Sequence, residues 1–185
     1  NNMIFIAIQR LDTAWNVSDY SLILVVNALD DTINSEIIIE WQDGSNIDTR
    51  ITNPYSNFQY APAELWQPDN SDNHGHLFIS CTGEFGYNYK EDGGIIAVDV
   101  EDLHVEKGFI LSEKSVKGEI MSFVLFNKEN AYATVVDSSF TSKILHFNPL
   151  SGAVYSTLHE NNDQFGSLWE LKIHRSGKLF VCDRN

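Results

Sequence analysis

Cysteine is scarce in this 185-residue sequence, which contains only Cys81 and Cys182. Neither residue belongs to a Cys-x-x-Cys pair, so the sequence has no zinc-ribbon or dithiol redox motif. Both lie in apolar, strand-like runs, where free thiols are commonly buried. So few cysteines also argue against a small fold that is held together by disulfides.

Long hydrophobic runs are missing as well. The longest are "MIFIAI" and "LILVV", with six and five residues. A membrane-spanning helix needs about 20 consecutive apolar residues, so we predict no such segment. The sequence begins at Asn1 without the charged, apolar and small-residue pattern of a leader, which leaves two alternatives: a signal peptide was removed, or the chain is a piece of a longer protein.

Basic residues are few, with 12 Lys and Arg against 26 Asp and Glu, which gives a net charge of −14. The first 100 residues carry −12 of this charge. Such a chain repels polyphosphate, so nucleic acids and anionic membranes are poor partners. The hydrophobic share of 43% is nevertheless enough for one globular core.

One short β-prone motif occurs four times, as "IFIAIQR", "LFISCTG", "AYATVVD" and "LFVCDRN". The motif starts are separated by 73, 54 and 48 residues, and a spacing near 50 is typical of stacked repeats or propeller blades. Each copy has an aromatic residue followed two positions later by a small one. The aromatic positions are Phe5, Phe78, Tyr132 and Phe180, and the small ones are Ala7, Ser80, Thr134 and Cys182.

A hairpin pattern follows three of these motifs. An apolar run ends in Asn27, Asp99 or Asn148, whose side chains can bond the backbone two residues on and start a turn. A second β-prone run follows in each copy: "INSEIII", "VEKGFIL" and "VYSTL". Equal spacing in three copies indicates a repeated unit.

A further run, "FQYAPAELW", "IMSFVLF" or "LWELKIH", precedes the second, third and fourth motif. Each complete unit therefore has four strands, which we call A to D, and four-stranded antiparallel units at this spacing predict β-propeller blades. The prediction is an all-β propeller fragment of about three to three and a half blades whose ring is not closed. A self-contained β-sandwich of about 13 strands is the alternative. The predicted blade segments within the single domain 1–185 are 1–42, 57–113, 118–161 and 168–185.

The segments "GGIIAVDVEDLHVEK", "KILHFNPLSGAVYSTL" and "SGKLFVCDRN" resemble the YVTN-type β-propeller repeat of bacterial surface and periplasmic proteins. The last of them also resembles the NHL repeat and the gluconolactonase-type propellers. The unit is longer here than in those repeats, and the name-giving Val-Thr-Asn is not present as such. The resemblance implies a propeller and an extracytoplasmic location, either periplasmic, cell-surface or secreted. It does not specify an activity, because one scaffold carries many functions.

The loops joining strands B and C are expected to form the functional face. They place indole and phenol rings beside carboxylates, as a specific recognition surface does. We predict a site there for a protein, glycan or small-molecule ligand, without a cofactor or a metal. The predicted binding residues are Asp12, Trp15, Asp19, Glu84, Tyr87, Tyr89 and Asp137.

The predicted function is a non-catalytic binding or interaction module. The alternative is a metal-dependent, lactonase-type hydrolase, because propellers of the gluconolactonase type hold a divalent cation at their axis. Glu84, Asp137, Asp183 and Asn185 lie at the ends of strands B and suit such a cation, but they do not occupy one repeated column.

The stretch "PDNSDNHGH" contains Asp69, Asp72, His74 and His76. On a strand, two histidines that are two residues apart share a face and could hold one metal ion, but zinc needs at least one more protein ligand. The calcium-loop pattern is absent. We interpret this stretch as a solvated turn.

Overall fold

The computed structural model describes residues 2–8, 12–14, 21–38, 54–67, 73–83, 91–106, 108–161 and 168–183. Within these ranges the chain is all-β, with fourteen strands and a helix of one turn. No helix there is long and apolar enough to cross a membrane. The elements are β1 Met3–Ile8, β2 Leu22–Asn27, β3 Thr32–Ile38, β4 Pro54–Ala61, β5 His76–Cys81, β6 Gly94–Asp99, β7 His104–Val105, β8 Leu111–Ser112, α1 Glu113–Val116, β9 Glu119–Asn127, β10 Asn130–Val136, β11 Ser142–Phe147, β12 Val154–Asn161, β13 Leu168–Ile173 and β14 Leu179–Asp183.

The strands form four antiparallel sheets in chain order. Sheet I holds β1, β2 and β3; sheet II holds β4 to β7, with β8 also paired to β6; sheet III holds β9 to β12; and sheet IV holds β13 and β14. Except for β8, strands that are neighbours in a sheet are also neighbours in sequence, so the predicted all-β antiparallel architecture is confirmed. None of these sheets closes on itself, while the blade number and the propeller ring stay predictions.

The three repeated hairpins share one turn geometry. Asn27 Oδ1 accepts a hydrogen bond from Leu29 N at 3.0 Å, and Asp99 Oδ1 accepts from the N–H groups two and three residues on at 2.7 and 2.8 Å. Asn148 Oδ1 accepts hydrogen bonds from Leu150 N at 2.8 Å and from Ser151 N at 2.9 Å. Four residues after each of these side chains the backbone is left-handed, with φ of 57° at Asp31, 56° at Leu103 and 69° at Gly152. The predicted turn role of the aligned Asn and Asp residues is therefore confirmed.

The second hairpin departs from the pattern in its last strand. The run "VEKGFIL" was expected to form one strand, but pairing with β6 stops after Val105 and resumes at Leu111. Gly108, with φ of 83°, lies in the interruption, where a left-handed backbone leaves the ladder. Strand A of the same unit is also shorter than expected, since β4 ends at Ala61 just before Pro62, which cannot donate to a ladder.

Hydrophobic contacts stack the sheets in chain order. Side chains alternate across a strand, so β5 sends Leu77, Ile79 and Cys81 toward sheet I and Phe78 toward sheet III. The first set packs in one cluster with Ile23, Val25 and Ile37 of sheet I. Phe78 packs in the other, with Ala131, Ala133, Leu145 and Phe147 of sheet III.

Sheets III and IV are joined by polar contacts as well. Ser142 Oγ accepts from Leu168 N at 3.3 Å, and Thr134 Oγ1 donates to Trp169 O at 3.4 Å. Sheets II and III are tied in the same way, since the Gln59 amide both donates to Leu125 O at 2.9 Å and accepts from Leu125 N at 2.7 Å. Together with the apolar contacts between sheets I and II, these bonds give the order I–II–III–IV.

The aligned aromatic residues lie on matching faces of successive sheets. Phe5 packs toward sheet II, Phe78 toward sheet III, and Tyr132 lies on the same face of β10 as Thr134, which contacts sheet IV. Phe180 occupies the corresponding face of sheet IV, opposite Lys172, and is 58% exposed. Phe78 is fully buried and Phe5 and Tyr132 are partly buried, so among the described residues Phe180 is the most exposed of the four.

We expect the purified 185-residue chain to self-associate through its two terminal sheets. Phe180 is exposed at one end, and Ile4 and Ile6 of sheet I are 48% and 42% exposed at the other. Exposed apolar sheet faces favour association. Light scattering should give a mass above that of one chain, and the double variant I6S/F180S should lower it. Leu150→Ser, in an exposed hairpin turn, is the control, and a monodisperse monomer would contradict the prediction.

Candidate functional site

The first strands of sheets II, III and IV meet around one buried hydroxyl group. These strands, β4, β9 and β13, each lie at a sheet edge. Ser122 of β9 is buried, and its Oγ accepts from Asn57 Nδ2 of β4 at 2.8 Å and from Leu171 N of β13 at 3.2 Å. Three sheets are therefore anchored at a single residue. A small polar side chain is suited to this position because the backbones approach closely.

A cleft of about 270 Å³ opens beside Ser122 between these three edge strands. This volume is just below the range of about 300–1,000 Å³ that is usual for ligand sites, so the cleft suits a small molecule. The lining combines rings, an amide, a hydroxyl and one charge of each sign. Its residues are Asn57, Phe58, Met121, Ser122, Trp169, Glu170 and Lys172.

The charges in the cleft cancel each other. Lys172 Nζ lies 2.9 Å from Glu170 Oε1, because residues two apart on β13 share a face. Both side chains are exposed, so this ion pair contributes little stability. The described part of the lining therefore offers hydrogen-bonding groups of both kinds without a net charge, beside the apolar surfaces of Phe58 and Trp169.

Of the seven predicted binding residues, the structure describes two. Asp12 Oδ1 accepts from Ala14 N at 2.8 Å. Asp137 Oδ1 accepts from Ser139 N at 2.9 Å and from Thr141 N at 3.1 Å. Trp15, Asp19, Glu84, Tyr87 and Tyr89 lie outside the described residues.

Asp137 has a further partner in Lys143, whose Nζ lies 3.1 Å from Oδ2. Partial burial alone raises the pKa of Asp137, but the bonds from Lys143, Thr141 and Ser139 outweigh it and hold the pKa below its ordinary value. Asp137 is thus an ionised residue that organises its own turn. Of its companions in the hydrolase alternative, Glu84 and Asn185 lie outside the described residues, whereas Asp183 ends β14.

A buried carboxyl pair lies at the end of sheet II where the chain passes into sheet III. Ser112 caps the one-turn helix α1, and the next residue, Glu113, is fully buried. Its Oε2 accepts from Gly93 N at 2.9 Å and its Oε1 from Ile120 N at 3.1 Å. Glu119 is hydrogen-bonded to it, so this pair links the B–C loop of one unit to strand A of the next.

Burial raises the pKa of Glu113 to about 9, helped by the charge of Glu119 and opposed by the bonds from Ile120 and Gly93. Burial also raises the pKa of Glu119 to about 7; the hydrogen bond with Glu113 opposes this shift, and the charges of Asp92 and Glu91 add to it. The two carboxyl groups share a proton near neutral pH, because two adjacent buried charges would repel each other.

Sequence reasoning missed the cleft because its residues belong to three strands that are far apart in the chain. On β13 Leu168 and Leu171 are buried while Glu170 and Lys172 are exposed, and strict alternation does not give this pattern, because the strand has a register shift between Leu168 and Glu170. Nothing in the sequence indicated that Asn57 and Ser122 would lie beside them.

Comparisons with protein-family models, curated proteins and solved structures found no match for this chain.

Proposed function

We propose that the chain is a non-catalytic binding module of the β-propeller type, and that the cleft beside Ser122 holds a small neutral polar ligand such as a saccharide unit. The observation that carries this proposal is the convergence of three edge strands on Ser122, which leaves a cleft lined by rings and paired hydrogen-bonding groups.

The stacking of the sheets supports the propeller part of the proposal. In a propeller, the first strand of each blade lies nearest the axis and the last lies outside. Here the first strands β4, β9 and β13 meet, while β12, the last strand of sheet III, is exposed along nearly its whole length. Sheet I, beginning at strand B, and sheet IV, ending in strand B, would be the incomplete blades.

The lining favours a neutral ligand over a charged one. A cation would have to displace Lys172 from Glu170, and an anion would have to displace Glu170 from Lys172. A hydroxyl-rich molecule can instead bond to both partners and to the Asn57 amide while it covers Trp169 and Phe58. Such combinations of aromatic and polar groups are typical of specific wet binding sites.

The lining also favours binding over catalysis. None of its seven residues is a histidine or a cysteine, so Ser122 has no imidazole base beside it within this set. Its Oγ already accepts two hydrogen bonds. In line with the resemblance to YVTN-type repeats, we place the module outside the cytoplasm.

Titration with a panel of neutral mono- and disaccharides tests the binding site. We expect at least one of them to give a saturable shift in protein-observed NMR or intrinsic fluorescence. Trp169→Ala should weaken this binding at least tenfold, which corresponds to about 1.4 kcal/mol, because an aromatic anchor supplies most of the contact area.

Tyr155→Ala is the matched control, because this ring is half exposed on β12, away from the cleft. It should leave the affinity unchanged. The proposal fails if no neutral saccharide binds saturably, or if Trp169→Ala binds as tightly as the unchanged chain.

A further inference from the structure

The stretch interpreted from sequence as a solvated turn contacts the hairpin between β6 and β7. His76 is the first residue of β5 and is buried, while His74 is partly exposed just before it. The β5–β6 pairing places His76 directly opposite Asp99. The histidines have no further ligand in their own segment. Carboxylates about 25 residues further along the chain, in the β6–β7 hairpin, lie beside them instead.

Asp99 faces both histidines with one oxygen. Its Oδ1 accepts the two backbone bonds of the hairpin turn, so Oδ2 is directed to the imidazoles. Oδ2 lies 2.9 Å from His74 Nδ1 and 4.0 Å from His76 Nε2. Glu106 comes from the strand side of the same hairpin, and its Oε1 lies 3.2 Å from His76 Nε2.

Further groups surround this set. His104 Nε2 lies 3.5 Å from Glu106 Oε1, and His74 lies 3.6 Å from Glu101 and 3.8 Å from Asp102. The ligand atoms of His76, Asp99 and Glu106 all lie within 4.8 Å of one another, as do those of His74, Asp99 and Asp102. The two sets share Asp99, and the set of His76, Asp99 and Glu106 is the more buried one.

We propose that His76, Asp99 and Glu106 bind one divalent first-row metal ion of the zinc class, and that rotation of the His74 side chain, which already contacts Asp99, brings its imidazole in as the fourth ligand. Four ligands about 2.0–2.2 Å from a tetrahedral ion lie about 3.3–3.6 Å apart. His76 Nε2 lies 3.2 Å from Glu106 Oε1 and 4.0 Å from Asp99 Oδ2, so these three ligands already lie near that spacing, while His74 is 2.9 Å from Asp99 Oδ2. Two imidazoles favour zinc, nickel or copper over calcium and magnesium, which prefer oxygen ligands alone.

A structural ion-pair network accounts less well for these residues. The side chains of His76 and Asp99 are only 3% and 1% exposed, so these two members of the set are shielded from water. The bonds from Glu101 N, Asp102 N and His74 compensate Asp99 itself. Four carboxylates surround three imidazoles here, so a bound divalent cation would offset the excess negative charge.

The site is separate from the proposed ligand cleft. It lies at the end of sheet II where β5 begins and β6 ends, whereas Asn57 and Ser122 lie on the edge strands β4 and β9. Neither proposal depends on the other. Their tests can therefore fail independently.

Isothermal titration of the chelator-treated chain with ZnCl₂ tests the metal site. We expect one zinc ion per chain with a micromolar or lower Kd, and no comparable heat with CaCl₂. Cobalt(II) added instead of zinc should give the visible absorption of a four-coordinate site, which zinc should then quench. His74→Gln and Glu106→Gln should each weaken zinc binding at least tenfold.

His74 and Glu106 are chosen because they are partly exposed, so these variants are expected to fold, which far-UV circular dichroism checks. His159→Gln, on the exposed strand β12, is the control for nonspecific imidazole binding and should bind zinc as the unchanged chain does. Trp169→Ala should also keep the site. The inference is overturned if zinc does not bind, or if its affinity is the same in the His74 and Glu106 variants.

Discussion

Phe78→Ala is expected to lower the free energy of unfolding by about 3–5 kcal/mol, the usual cost of removing a buried phenyl ring. Phe78 is fully buried between sheets II and III. Its ring meets Trp66 edge to face, with centroids 5.1 Å apart. Trp66 in turn donates from Nε1 to Pro149 O of sheet III at 2.9 Å, so the cavity would form where the two sheets are joined. Chemical denaturation followed by circular dichroism measures the loss.

Phe180→Ala is the matched control, because it removes the same ring from the same column of the repeat. Phe180 is 58% exposed, so its replacement should change the free energy of unfolding by less than about 1 kcal/mol. Equal losses in the two variants would contradict the stacked order of the sheets. A small loss at Phe78 would show that this residue does not fill the interface.

Much of the fold could be predicted because the repeated sequence pattern reflects short-range interactions between residues that are close in the chain. An Asn or Asp after strand C bonds the backbone two residues on, and this is a short-range effect that the sequence shows directly. Asn27, Asp99 and Asn148 all behave in this way. Strand alternation likewise shows which side chains share a face, so Phe78 and Ser80 could be assigned to one face of β5 before any neighbour was known.

Other features depend on distances that a sequence does not show. The interrupted last strand of sheet II follows from Gly108, whose left-handed backbone competes with the ladder. The buried pair of Glu113 and Glu119 looks like two ordinary acidic residues in a connection. Their burial arises only when β9 packs beside the end of β6, which brings Gly93 N and Ile120 N to the same carboxylate.

The candidate sites illustrate the same limit. His74 and His76 were recognised as possible ligands, but the remaining oxygens come from the following hairpin, so the set could not be assembled from spacing alone. Asp12 and Asp137 were predicted from loop composition, and each bonds to its own turn. Polar loop residues often serve the local backbone, and composition does not separate that role from ligand binding.

Between pH 5 and pH 8 the chain is expected to lose about 1–3 kcal/mol of stability through the pair of Glu113 and Glu119. Their pKa values are raised from the ordinary 4.5 to about 9 and about 7 by burial. The folded state therefore holds more protons than the unfolded state above pH 4.5. The contribution of this pair to the free energy of unfolding is fully present below pH 4.5. It falls as the pH rises through 7 toward 9.

Glu119→Gln isolates this effect, because its amide can donate to Glu113 in place of the shared proton and cannot become charged. Glu113 keeps the bonds from Gly93 N and Ile120 N and loses its charged neighbour. The variant should match the unchanged chain at pH 5 and exceed its stability at pH 8 by about 1–2 kcal/mol. Glu129→Gln, in the exposed β9–β10 turn, should keep the original pH dependence. Urea titrations at both pH values measure the free energy of unfolding of the three proteins. If all three lose the same stability between pH 5 and pH 8, another group is responsible for the pH dependence.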